Sequence, residues 1–222
     1  MPSSFLSHQA PALPLKVMFP KRIDGTALCF GTFIPDLNFI VQLFFPVNFY
    51  AITHSLLGQI LWTVPLAVIA TIIFSKYLSP IFAHIASQKG VLFKPLKYFG
   101  VDQWGYLSEK KYNKKFWITA VYSSMIGGVL HILLDWPSHR YGYILYPWIT
   151  LQAPDFLLYT IIDYGTRTLG PFVFNADLTV FRLLWFLETL IGGVITLYVL
   201  RFIKKHDLIR RWYEEENYID TR

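Results

Sequence analysis

The stretch FWITAVYSSMIGGVLHILL, residues 116–134, runs directly into DWPSH, residues 135–139. Its 19 residues would span roughly 28 Å as a helix, close to the hydrocarbon thickness of a bilayer. The only side chain in it that titrates near neutrality is His131, and Asp135 follows four residues later. A lipid-facing helix needs neither, and an ionisable residue inside a span reads as functional by default. Residues i and i+4 share a helix face, with Cβ atoms about 5–6 Å apart, so both side chains can reach one bound ion. The residues alone leave a plainer reading open: a His–Asp hydrogen bond at a helix end, closed by an interfacial tryptophan. Trp136 and Pro137 come next, and a proline there ends or kinks the helix.

Two further runs have the same character. Residues 55–75 contain no charge, and residues 183–200 lie between Arg182 and Arg201 with Glu188 as their one acid. In lipid, backbone polar groups must be satisfied within the segment, so such runs read as helices. The chain has 222 residues, of which 54% are hydrophobic and only 15% charged. A soluble domain of this length needs more surface charge. The reading is an all-α, polytopic membrane helical bundle: one domain, 1–222, with three spans and one or two broken or re-entrant helices. The broken candidates are residues 27–47, which hold Pro35, Asp36, Asn38 and Gln42, and residues 144–162, which hold Pro147, Pro154 and Asp155. Pro65 should kink the span that contains it.

The net charge is +6. The positive residues sit in loops beside apolar runs, which points to membrane lipids with anionic headgroups as partners and away from nucleic acid. Residues 84–115 read as a basic amphipathic loop, with seven lysines between 89 and 115 against Asp102 and Glu109, and residues 204–222 read as a polar tail. Positive loops favour the cytoplasmic side. His131 and Asp135 are then expected near the outer face, although Lys16, Lys21 and Arg22 pull the amino terminus inward as well. That terminus lacks a charged region ahead of an unbroken apolar run, so it is expected to be kept and not cleaved as a signal. Aromatic residues make up 18%, as suits membrane interfaces. Cys29 is the only cysteine, so any metal must be held by histidines and carboxylates.

Three more polar residues stand in apolar or helix-entry settings: His8 in FLSHQAPALP, Asp36 in GTFIPDLNF and His54 in ITHSLLGQ. Each is ordinary when taken alone. His8 can be a surface residue, Asp36 a helix N-cap and His54 part of a helix start. Taken with His131 and Asp135 they form a sensible metal site for one or two ions. Imidazole with carboxylate suits Zn²⁺, Fe²⁺ or Mn²⁺ and suits Ca²⁺ poorly. Coordination also offsets the cost of burying ionisable groups near lipid. His84 and His206 lie in polar flanks and read as solvated.

The motifs SHQAPALP, IPDL, HSLLG and GGVLHILLDWPSH occur in this order. In that order and spacing the chain resembles, over nearly its whole length, a bacterial membrane-protein family known as domain of unknown function 4184. That family is similar to inner-membrane metal-dependent hydrolases and, more distantly, to all-helical zinc-dependent phospholipase C proteins. The resemblance implies a bacterial inner-membrane location and a divalent metal, zinc first, with iron or manganese as alternatives. It places His8, Asp36, His54, His131 and Asp135 as ligands, with Asp36 as the acid that activates water. The last span departs from the pattern. A polar, histidine-containing turn is expected there, whereas WFLETLIGG supplies only Glu188. Glu188 either replaces that ligand or pairs with Arg182, and His139 is a further candidate. Not all of the phospholipase ligands are present, so a three-metal centre is not implied. The leading function is a membrane-embedded metal-dependent hydrolase of a lipid or phosphoester. The alternatives are a non-catalytic protein with a structural His/Asp cluster or metal site and, third, a transporter, which the lack of an internal repeat disfavours. Substrate and oligomeric state stay open.

Overall fold

The computed structural model of the protein describes residues 6–44, 49–169 and 172–215. The first five residues, 45–47 of the first broken run and 216–222 of the polar tail lie outside the described residues. Among the described residues, three helices are long and apolar enough to cross a membrane: Leu56–Ala86, Lys114–Ser138 and Val180–Lys205. They contain the three expected spans, and the fold is an all-α membrane helical bundle. In chain order, α1 is Gln9–Met18, α2 is Gly25–Gly31, α3 is Asn38–Phe44 and α4 is Phe49–Thr53. The long helix Leu56–Ala86 is α5, and the short α6 is Lys94–Tyr98.

Helix α7 covers Lys114–Asp135, and its last turn tightens to a 3₁₀ turn at Trp136–Ser138, where Pro137 lies. Helix α8 is Asp155–Leu158 and α9 is Val180–Lys205. Short strands lie between α7 and α9. Strands β1 (Tyr141–Gly142) and β2 (Leu151–Gln152) pair antiparallel, with Gly142 opposite Leu151. Strands β3 (Thr160–Ile162) and β6 (Leu178–Thr179) pair likewise, as do β4 (Thr166–Leu169) and β5 (Phe172–Asn175).

Local sequence sets the helix starts. Asp24 accepts the Ala27 amide at 2.9 Å, Ser55 the Gly58 amide at 3.0 Å and Asn113 the Phe116 amide at 3.0 Å. Each satisfies one of the amides left over in a first helical turn. The prolines of α5 act less as breaks than as register shifts. The π turn Gln59–Thr63 directly precedes the turn holding Pro65, and the π turn Phe74–Leu78 precedes the one holding Pro80. The wider turn accommodates a ring that has no N–H to donate.

The first broken run folds as α2, a 3₁₀ turn at Ile34–Leu37 and α3. The second, 144–162, is not a re-entrant helix: only Asp155–Leu158 is helical there, flanked by β2 and β3. Pro147 and Pro154 are tolerated in its turns because neither has to serve an intrahelical bond. The basic segment 84–115 is a chain of short turns, α6 and the 3₁₀ stretch Val101–Glu109, following the end of α5.

Polarity is arranged inside out. Thr63, Thr71 and Ser75 of α5 and Ser123 and Ser124 of α7 are fully buried, while Ile60, Leu61 and Ile69 of α5 and Trp117, Ile118 and Val121 of α7 are exposed. Small and hydroxyl side chains between helices, with large apolar ones outside, are the packing of a bundle in lipid. Helix α2 lies almost backbone to backbone on α7. A Cβ on Gly31 would fall 2.3 Å from the Ser124 carbonyl oxygen, and one on Gly127 would fall 2.3 Å from that of Leu28. The amino-terminal arm meets α9 as closely. A Cβ on Gly192 would be 2.7 Å from the Ser7 carbonyl oxygen, and Thr196 donates its hydroxyl to the Leu6 carbonyl. At the far end of α7, Lys110 reaches buried Asp24 at 2.8 Å. Lys16 is buried too, donating to the Pro20 and Ile23 carbonyls at 2.6 and 2.8 Å.

Candidate metal centre

These contacts bring five distant side chains to one end of the bundle. Helix α7 carries His131 and Asp135 on its buried face, the 3₁₀ turn Ile34–Leu37 carries Asp36, and His54 lies just before the Ser55 cap of α5. One donor atom from each of Asp36, His54, His131 and Asp135 falls within a group no more than 4.8 Å across. All four residues are buried, His131 completely.

The spacings within the group carry the chemistry. His54 Nε2 is 3.3 Å from Asp36 Oδ1, 3.4 Å from Asp135 Oδ2 and 3.1 Å from His131 Nε2. His131 Nε2 is 3.4 Å from Asp135 Oδ2 and 3.6 Å from Asp36 Oδ1. Four donors placed about 2.0–2.1 Å from one ion in a tetrahedron stand roughly 3.3–3.4 Å apart, which is the observed scale.

The hydrogen bonds around the group fix which atoms face inward. His131 Nδ1 lies 2.9 Å from the Thr32 carbonyl oxygen, which can only accept, so Nδ1 carries the proton. His54 Nδ1 lies 3.1 Å from the Tyr50 carbonyl oxygen and 3.0 Å from the Thr53 hydroxyl, and the carbonyl favours a proton on this Nδ1 as well. In the neutral rings each Nε2 then presents a lone pair to the other across 3.1 Å. Asp36 Oδ1 and Asp135 Oδ2 are buried, and among the described residues they have no hydrogen-bond partner when both Nε2 atoms are unprotonated. Four buried acceptors facing one point repel one another unless a metal cation or added protons on the rings lie between them. Ring nitrogens held by carbonyls on their far sides are also the usual support of metal-binding histidines.

Of the five ligands expected from sequence, four converge. His8 stands outside the group: its Nε2 lies 3.0 Å from the other oxygen of Asp135, Oδ1, and its ring stacks on His131 at 4.6 Å. It steadies the carboxylate and ring that face the common point. The two additional candidates are also outside. His139 is tied through Nδ1 to the Asp135 carbonyl oxygen at 2.8 Å. Glu188 is half-buried on α9, and Arg182 donates to the Asp177 carbonyl and not to Glu188.

Two contributors carry no motif in the sequence. The Tyr50 ring stacks on His54 at 3.8 Å, in addition to the bond from its carbonyl. It lies four residues before His54, one helical turn away, so the i,i+4 rule could have found it. The Thr32 carbonyl had no sequence signal at all, because its place depends on the α2–α7 approach.

A cavity of about 140 Å³ reaches the group from the side of the β1–β2 pair, with His54 and Asp135 in its wall. The profile of the family described as a domain of unknown function (DUF4184) matches residues 1–219. No curated protein and no solved structure matches the chain. The chain belongs to the DUF4184 family.

Proposed function

We propose that the protein is a membrane-embedded, metal-dependent hydrolase acting on an ester or phosphoester, with lipid as the natural source of substrate. The observation that carries the reading is the set of four inward-facing acceptors within 4.8 Å of one another, each imidazole nitrogen 3.1–3.6 Å from the other three, two of the four being buried carboxylate oxygens. In this reading His54, His131 and Asp135 hold the ion, and His8, Thr32 and Tyr50 orient the holders. Asp36 Oδ1, at 3.6 Å the most distant from His131, takes the proton of the attacking water. Zinc is the preferred ion for two imidazoles with carboxylate, and iron or manganese fits the same donors. A divalent ion there supplies a water of lowered pKa, about 7, and polarises an acyl or phosphoryl oxygen. The water oxygen bonds to the acyl carbon or phosphorus, the bond to the leaving oxygen breaks, and the proton held by Asp36 passes to that oxygen. The cavity at His54 and Asp135 gives a substrate a route that a closed structural site lacks. A basic segment able to gather anionic lipid fits the same reading.

Complete burial of His131 favours a second reading, an ion that serves structure alone. Zinc-loaded wild type and Asp36→Ala, assayed for metal content and for hydrolysis of p-nitrophenyl esters and bis-p-nitrophenyl phosphate, separate the two. A hydrolase loses at least about a hundredfold in rate in Asp36→Ala while keeping its metal. A structural site shows no turnover in the wild type and loses metal and thermal stability together in the variant.

A further inference from the structure

The cavity beside the metal group is chemically unlike the group itself. Apart from His54, Asp135 and His139 at the metal-group end, its walls are Ile132, Leu133, Trp136, Ile144 and Leu151 with tyrosine rings, and among the described residues neither lysine nor arginine lines it. The β1–β2 pair forms its cover. The Leu56 amide, in the first turn of α5, donates to the Ile144 carbonyl at 2.9 Å, and the Ala153 amide donates to that of Arg140 at 2.9 Å. Gly142 packs directly on Trp136: a Cβ there would fall 2.9 Å from Trp136 Cδ1. The space is thus bounded on one side by the end of α7 and on the other by a pinned hairpin.

Resting on the hydrolase reading, we infer that this cavity binds an uncharged acyl or alkyl group of about six carbons, next to the bond that is cleaved. At about 140 Å³ the space is close to that of dry apolar cavities of roughly 150 Å³, which hold one benzene-sized guest. A phosphate or carboxylate placed among those apolar walls, away from the metal group and His139, would lose its hydration with no lysine or arginine to receive it. The charged or polar part of the substrate therefore lies on the other side of the scissile bond, and an acyl ester with its chain in the cavity meets both demands.

Two measurements test this, one of them independent of catalysis. In Leu151→Cys, with wild type and its single Cys29 as background, butyl methanethiosulfonate should modify the new thiol at least about tenfold faster than the anionic sulfonatoethyl reagent, each rate divided by that for a free thiol. Equal relative rates overturn the inference. In zinc-loaded wild type, kcat/KM for p-nitrophenyl esters should rise about fourfold per methylene up to a six-carbon acyl chain and then level. Leu151→Trp should flatten the ratio of hexanoate to acetate, and Leu151→Ala should move the optimum to longer chains. An active enzyme indifferent to chain length, or a ratio unchanged by both substitutions, overturns the cavity assignment. Absence of turnover on every ester overturns the hydrolase reading instead, and the labelling ratio then decides the cavity alone.

Discussion

His131 is fixed from behind by the Thr32 carbonyl at 2.9 Å and faces His54 Nε2, Asp36 Oδ1 and Asp135 Oδ2 in front. His131→Ala therefore removes a ligand, and chelator competition should show stoichiometric zinc binding lost. His8 acts at one remove, through Asp135 Oδ1. His8→Ala should keep the site but weaken zinc affinity about 10–100-fold, the usual effect of losing a partner of a ligand. Equal loss in the two variants would show that His8 binds the ion directly. The buried pair of Asp24 and Lys110 makes a separate residue-scale prediction. Burial pushes the Asp24 carboxyl up, but the Lys110 charge and hydrogen bond, with the Ala27 amide, hold it below its usual value. A group depressed in the folded state stabilises above its unfolded pKa, about 3.8, and loses that contribution as pH falls through the folded value. Thermal melts should fall steeply only below about pH 4. Lys110→Met, which leaves the carboxylate buried without its partner, should cost about 3–5 kcal/mol at pH 7, and acid should then relieve that loss by protonating Asp24.

At the scale of elements, the site depends on how closely α2 can lie on α7. Gly127→Ala places a methyl group 2.3 Å from a backbone oxygen of α2, an atom that cannot swing aside. The expected result is a loss of about 1–3 kcal/mol in stability and weaker metal binding, because the Thr32 carbonyl moves with α2. Gly193→Ala, with nothing within 4 Å of its new Cβ, is the control and should melt as the wild type does. Helices α5, α7 and α9 were readable because a run as long and apolar as residues 116–134 suits a membrane span and little else. The pairing of His131 with Asp135 followed from spacing alone. The run 144–162 misled, since apolar residues interrupted by prolines look alike in a broken helix and in a hairpin cover. The inward position of Asp36 was suspected, but its donor atom becomes definite only when the 3₁₀ turn meets α7. His8, expected among the ligands, meets the group through Asp135 Oδ1, a contact that the sequence alone does not specify.

For the whole molecule, the inverted polarity makes a simple claim: the outer faces of α5, α7 and α9 meet acyl chains. Trp117, 48% exposed on α7, should be quenched by lipids brominated along their chains, in a variant that keeps it as the only tryptophan. Unchanged emission would place that face in water. A chain whose exterior is apolar and whose interior is lined with hydroxyls can hold four buried acceptors at one point only if something positive joins them. X-ray absorption at the zinc edge, on protein given one equivalent of zinc, tests this most directly. The expected spectrum has about four nitrogen or oxygen neighbours at about 2.0 Å, with multiple scattering from two imidazoles. A fully hydrated ion without imidazole scattering would contradict the metal centre.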